Sequence, residues 1–323
     1  MHRQVRFLLA LLLVLLIGIS AGCAPNDNGP AGRAPDEQKP SDIYTSQVKQ
    51  KWLDVPYADR SEAEKLDIYL PSQGQGPFPV IVSIHGGAFM YGDKADGNLV
   101  PVLKGLDRGY AVVSINYRLS GEAKFPSQVN DVKAAIRFIR ANAARYQLNP
   151  DKIAVWGGSA GGYLALAAGI TSDVAELDDP GLGSPGQSSR VQAVVDWCGP
   201  TDFRTLRDQL LQNRFTDEAH ISTDWAEKDL FGRPLPEVPE LARMADLSAY
   251  ITPDDPPIYI QHGARDPVVP PQQSTEFVRH QQSVPGSKPV AIQVFPYEEH
   301  LGYSFTSPDN LDRVFIFIDR SLK

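Results

Sequence analysis

Val155-Trp156-Gly157-Gly158-Ser159-Ala160-Gly161-Gly162 runs from an apolar, strand-like segment into a serine flanked by glycines, and Tyr163 to Ala168 continue as a helix. A serine on so sharp a strand-to-helix turn is held strained and exposed, which suits a nucleophile. Gly157 and Gly161 lack the Cβ atoms that would collide where strand and helix meet at a tight angle. Upstream, Ile81-Val82-Ser83-Ile84-His85-Gly86-Gly87-Ala88-Phe89 is a second apolar run ending in a glycine-containing loop. Its backbone N–H groups could face a developing negative oxygen. The pentapeptide alone is weak: Gly18-Ile19-Ser20-Ala21-Gly22 also fits G-x-S-x-G but lies in a hydrophobic leader. Context separates the two, because only Ser159 sits between strand and helix and follows an H-G-G loop.

The 323 residues are 42% hydrophobic and 22% charged, a globular composition with enough apolar residues for a sizeable core. Net charge is −8, and removing Arg3 and Arg6 with the leader takes it to −10. Such an acidic body argues against nucleic acid and against docking on anionic membranes through a basic face. Residues 1–22 read as a lipoprotein signal peptide: a basic start, then Phe7 to Ile19 without a charge, which is shorter than the roughly 20 residues a membrane span needs. Ser20-Ala21-Gly22-Cys23 resembles a bacterial lipobox, so Cys23 is the expected lipid attachment and the protein is expected outside the cytoplasm, lipid-anchored to a bacterial membrane. Ser20 departs from the usual leucine, which leaves ordinary signal cleavage, and a secreted or periplasmic product, as the alternative. Residues 23–50, rich in Pro, Gly, Asn, Asp and Gln, read as a flexible tether, with the catalytic domain at 51–323. Cys198, on an apolar run, reads as a core residue.

From Leu66 onward apolar runs alternate with helical patterns, which argues for a mostly parallel sheet flanked by helices. Leu66 to Leu70 reads as a half-exposed strand, followed by Pro79 to Ile84, Ala111 to Tyr117, the strand ending at Ser159, Val191 to Trp197, Ile258 to Gln261 and Val290 to Phe295. Leu99 to Leu106 and a stretch opening at Pro126 read as helices. In the second, Val129, Val132, Ile136, Ile139 and Ala143 form one apolar stripe. Residues 199–245 do not fit the alternation, and with Phe203, Phe215, Trp225 and Phe231 they read as a lid-like insertion; the alternative is a surface excursion with its own apolar cluster.

A serine needs a base, and the base needs an acid to orient it. Of six histidines, His2 lies in the leader, His85 braces the glycine loop, His220 and His280 lie in polar stretches, and His262 ends a strand where a structural hydrogen bond suffices. His300 follows the last strand, at the edge where catalytic groups collect in parallel sheets. Asp266 follows the strand ending near Gln261 and lies between Ser159 and His300 in sequence, whereas Asp254 and Asp255 precede that strand. The N–H of Ala160, at a helix N-terminus, and those of Gly87 and Ala88 are the expected oxyanion hole. Glu298 and Glu299 have no partners spaced to complete a metal site, so neither metal nor organic cofactor is expected.

These segments, with Asn116-Tyr117-Arg118-Leu119, Phe125-Pro126-Ser127-Gln128, Pro200-Thr201-Asp202-Phe203 and His262-Gly263 through Pro270, resemble the α/β-hydrolase superfamily across residues 51–323. More narrowly, the chain resembles the bifunctional feruloyl and acetyl-xylan esterases. That resemblance implies an α/β-hydrolase fold and a serine carboxylesterase acting on short-chain or aromatic acyl esters, including esters of polysaccharide. The loop around His300 is more acidic and bulkier than the resemblance implies. The same triad would also serve an amide-cleaving enzyme, a peptidase or an arylformamidase, and the fold could carry a non-catalytic binding protein.

Overall fold

A computed structural model describes residues 39–213 and 225–323. Cys23 and the whole leader, together with Phe215 and His220, lie outside the described residues. Eight strands form one sheet: β1 (Lys51–Pro56), β2 (Lys65–Tyr69), β3 (Phe78–Ile84), β4 (Ala111–Ile115), β5 (Leu148–Gly158), β6 (Ala193–Trp197), β7 (Ile258–Gly263) and β8 (Ala291–Phe295). Their order is β1-β2-β4-β3-β5-β6-β7-β8, with β2 antiparallel to both β1 and β4, and every pair from β4 to β8 parallel. This is the expected α/β-hydrolase plan.

The continuous apolar runs of β3, β4 and β6 follow from burial on both faces of the sheet. On one face lie α3 (Ser127–Ala141), α4 (Ala160–Ile170) and α7 (Gln272–Ser283). The stripe Val129, Val132, Ile136 and Ile139 of α3 is fully buried there. The other face is covered by α2 (Leu99–Leu103), α8 (Tyr303–Thr306) and α9 (Pro308–Leu322), through Leu99, Val102, Phe305, Val314, Phe315 and Ile318.

Three expectations change. β2 is buried rather than half-exposed, because its polar Asp67 faces inward and pairs with the buried Lys94, Nζ to Oδ1 at 2.9 Å. An alternating pattern was therefore a poor guide to exposure here. The folded body also begins earlier than residue 51, at Lys39. Asp42–Thr45 form a helical turn (α1), Ser41 Oγ donates to the Ala95 carbonyl at 2.8 Å, and Lys51 Nζ donates to that of Thr45 at 2.6 Å. Composition missed this because polar anchors, more than apolar burial, hold the segment. Finally, the described part of the 199–245 insertion includes α5 (Phe203–Asn213) and α6 (Pro239–Met244), and Phe203 and Phe231 join the main core instead of a cluster of their own. Phe203 lies 5.1 Å from Tyr163 and 5.4 Å from Phe231, ring centre to ring centre. No helix among the described residues is long and apolar enough to cross a membrane.

Candidate active site

Four strand ends converge at the carboxyl edge of the sheet. β5 runs into Ser159 and then α4, β3 into His85-Gly86-Gly87-Ala88, β7 into the Asp266 loop, and β8 into the His300 loop. Ser159 has φ 58° and ψ −125°, a conformation that a non-glycine residue adopts only when its surroundings force it. Those surroundings are visible. A Cβ on Gly157 would lie 2.1 Å from the Gly161 carbonyl oxygen, and one on Gly161 would lie 2.2 Å from that of Ile84. Strand and helix thus meet at a distance only glycine permits. The Ser159 amide donates to the Trp197 carbonyl at 2.7 Å, tying the turn to β6.

His300 Nδ1 donates to Asp266 Oδ2 at 2.7 Å. The other carboxylate oxygen, Oδ1, accepts from the amides of Val268 and Val269 at 2.8 and 2.9 Å. Burial would raise the Asp266 carboxyl, but hydrogen bonds from His262 and His300 outweigh it and hold the group at about 2. An ionised carboxylate only accepts, so the His300 proton resides on Nδ1 and Nε2 is left as a base. Ser159 Oγ is not hydrogen-bonded to His300 in this structure; such contacts often tighten only when substrate is bound.

The oxyanion candidates share that edge. Gly87 has φ +104°, and a Cβ there would lie 2.1 Å from the Tyr91 carbonyl oxygen, so the loop depends on glycine. The Gly87 carbonyl accepts from the amides of Met90 and Tyr91, and this turn fixes the loop. The amides of Gly87, Ala88 and Ala160 donate to no acceptor among the described residues. His85 is buried and stacks on Tyr117 at 4.3 Å, and Nδ1 meets the Gly86 carbonyl at 2.8 Å; burial pushes its pKa down. It braces the loop, as the sequence suggested. Phe89, the next loop residue after Ala88, packs on Tyr163 and Phe203, so the insertion supports this loop.

Two residues hold more than the sequence suggested. His262 Nε2 lies 2.8 Å from the Val269 carbonyl and 3.4 Å from Asp266 Oδ2, while Nδ1 meets Ser274 Oγ at 2.6 Å. A carbonyl can only accept, so Nε2 carries the proton and closes the Asp266 loop upon itself. Cys198 is a core residue as expected, yet it has φ 46° and sits at the site. Its sulfur, an Asp266 carboxylate oxygen and a His300 ring nitrogen lie within 4.8 Å of one another. In that trio the histidine and carboxylate are hydrogen-bonded to each other. Cys198 directly follows β6, and position at a strand end was the only sequence signal that could have found it. Glu298 accepts from the backbone N–H and hydroxyl of Ser304, at 3.3 and 2.5 Å, and so braces the turn beyond His300.

The BD-FAE family model matches residues 66–280. The chain is 32% identical over 257 residues to the probable carboxylic ester hydrolase LipM of Mycobacterium tuberculosis, covering 76% of this chain and 55% of that protein. The chain spans about half the length of the curated relatives it matches. Among solved structures, a truncated carbohydrate esterase from gut microbiota matches with a TM-score of 0.72 at 30% identity, covering 85% of this chain and 98% of that one. A bifunctional GH43-CE protein of Bacteroides eggerthii matches with a TM-score of 0.74 at 36% identity, covering 85% of this chain and 35% of that one.

Proposed function

The chain belongs to the BD-FAE family, and from that membership we propose that it is a serine carboxylesterase acting through an acyl-enzyme. Ser159 Oγ attacks the ester carbonyl as His300 Nε2 takes its proton. The N–H groups of Ala160, Gly87 and Ala88 receive the oxygen as it becomes negative, and each such donor is worth about 10²–10³ in rate. His300 then protonates the departing alcohol, and water repeats the steps to release the acid. Asp266 orients the imidazole and offsets its charge. The observation carrying this reading is the 2.7 Å His300–Asp266 pair, made by an ionised, buried carboxylate at the sheet edge that also bears the strained Ser159.

The proposed alcohol is a sugar hydroxyl of a polysaccharide. One of the similar solved structures is a carbohydrate esterase from gut microbiota. The loops that carry the site also expose Tyr91, Tyr297 and Tyr303, whose flat rings and hydroxyls suit sugar faces. The purified protein is expected to hydrolyse p-nitrophenyl acetate, methyl ferulate and acetylated xylan, and to cleave p-nitroacetanilide far more slowly. Faster turnover of the anilide would make the enzyme an amidase, and binding of these esters without turnover would make it a binding protein.

The proposed location is outside the cytoplasm, anchored to a bacterial membrane through lipid on Cys23, with the following segment as spacer. Cys23→Ser is expected to move the protein from the membrane to the soluble fraction and to abolish incorporation of labelled palmitate. Absence of palmitate label on the unaltered protein would rule the anchor out.

A further inference from the structure

A cavity of about 230 Å³, lined by Gly157 and Gly158 just before Ser159, lies on the sheet face covered by α2 and α8. Two of its lining residues adjoin the proposed machinery: Gly158 precedes Ser159, and Leu301 follows His300. The point where Gly158 would carry a Cβ lies 3.1 Å from Leu301 Cδ2 and 3.7 Å from Trp197 Cβ, so the missing side chain keeps this end of the cavity open. Trp156, Trp197 and Phe305 supply aromatic walls, packed edge to face with Trp197 at 5.0 and 5.5 Å from the other two. Val102 of α2 closes the cavity from the side.

We propose that this cavity is the acyl subsite and that it takes an uncharged, apolar acyl group up to about the size of one aromatic ring. The inference rests on the esterase reading and adds to it which half of the ester lies where. The tetrahedral carbon bonded to Ser159 Oγ directs its oxyanion to the amides of Ala160 and the Gly87 loop, and its leaving alcohol to His300, which is partly open to solvent. The remaining substituent, the acyl chain, is the one left to turn toward Gly158 and Leu301. A walled cavity of this kind suits a group that ends inside it, whereas a polymeric alcohol must continue outward. The size limit follows from volume. An apolar cavity of about 150 Å³ already accepts benzene, so 230 Å³ holds a butanoyl or benzoyl group and is too short for a long acyl chain.

The test uses p-nitrophenyl acetate, butyrate, benzoate and octanoate, with the alcohol held constant. For the unaltered protein, kcat/KM is expected to be highest for butyrate and benzoate and about tenfold or more lower for octanoate, since one or more misplaced methylenes cost at least that much. Gly97 lines the cavity, and a Cβ there meets nothing within 4 Å, so the fold can accept a larger residue. Gly97→Phe is expected to lower the butyrate-to-acetate and benzoate-to-acetate ratios by about tenfold, while Val102→Ala raises the octanoate-to-butyrate ratio by a similar factor. Each readout is a ratio within one variant, so a loss of folded protein cancels. Ester turnover with ratios unmoved by both substitutions would overturn the acyl subsite alone. Absence of any Ser159-dependent ester turnover would overturn the esterase reading, and this subsite with it.

Discussion

Replacing Ser159 by alanine is expected to lower kcat for p-nitrophenyl acetate by about 10⁶, with the fold intact. The size of the effect follows from the proposed role: without Oγ no acyl-enzyme forms, and what remains is binding plus the oxyanion amides. Stability should barely change, because the hydroxyl makes no hydrogen bond among the described residues and alanine keeps the Cβ. The positive φ of Ser159 permits a sharper version of the same experiment. Glycine tolerates φ 58° without the strain a side chain incurs, so Ser159→Gly is expected to be as inactive as the alanine variant yet more stable by about 1 kcal/mol. A rise in Tm paired with loss of turnover would mean that the turn is strained in order to present the hydroxyl. The assignment would be sunk by a Ser159→Ala protein that keeps more than a few per cent of the parental rate.

Much of this site was legible in sequence because its constraints are local. Gly157 precedes Ser159 for a steric reason that acts within five residues, and chain order then places Asp266 and His300 after later strands of the same sheet. Less legible were features made by contacts across the chain. Asp67 in β2 looks like a solvent-facing position until Lys94, 27 residues on, is seen buried against it. Ser41 is held by Ala95, which no composition of residues 39–50 reveals. The edge strand β1 has an exposed, irregular pattern and becomes a strand only by pairing with β2. The same is true of His262 and Cys198. Each stands at a strand end, but its closeness to Asp266 exists only once the strands are side by side.

Asp266→Asn should reduce kcat by about 10⁴ and should destabilise the protein in a pH-dependent way. The catalytic loss comes from the tautomer. The substituted carboxamide can keep its one oxygen on the amides of Val268 and Val269, but its NH₂ group then faces His300 Nδ1 and His262 Nε2, both of which are donors in the parent. His300 must turn or move its proton to Nε2, and Nε2 is then no longer a base. The stability loss comes from the ionised form of Asp266, which is favoured in the folded protein. Its carboxyl is held at about 2 against an ordinary 3.8, which is worth about 2 kcal/mol. Because the folded value is the lower one, this contribution is complete above about pH 4–5 and fades as pH falls toward 2. Urea unfolding of parent and variant should therefore show a gap that is full at pH 7 and pH 5 and clearly smaller at pH 3. A gap of constant size across that range would mean that packing around residue 266, and not its charge, holds the loop.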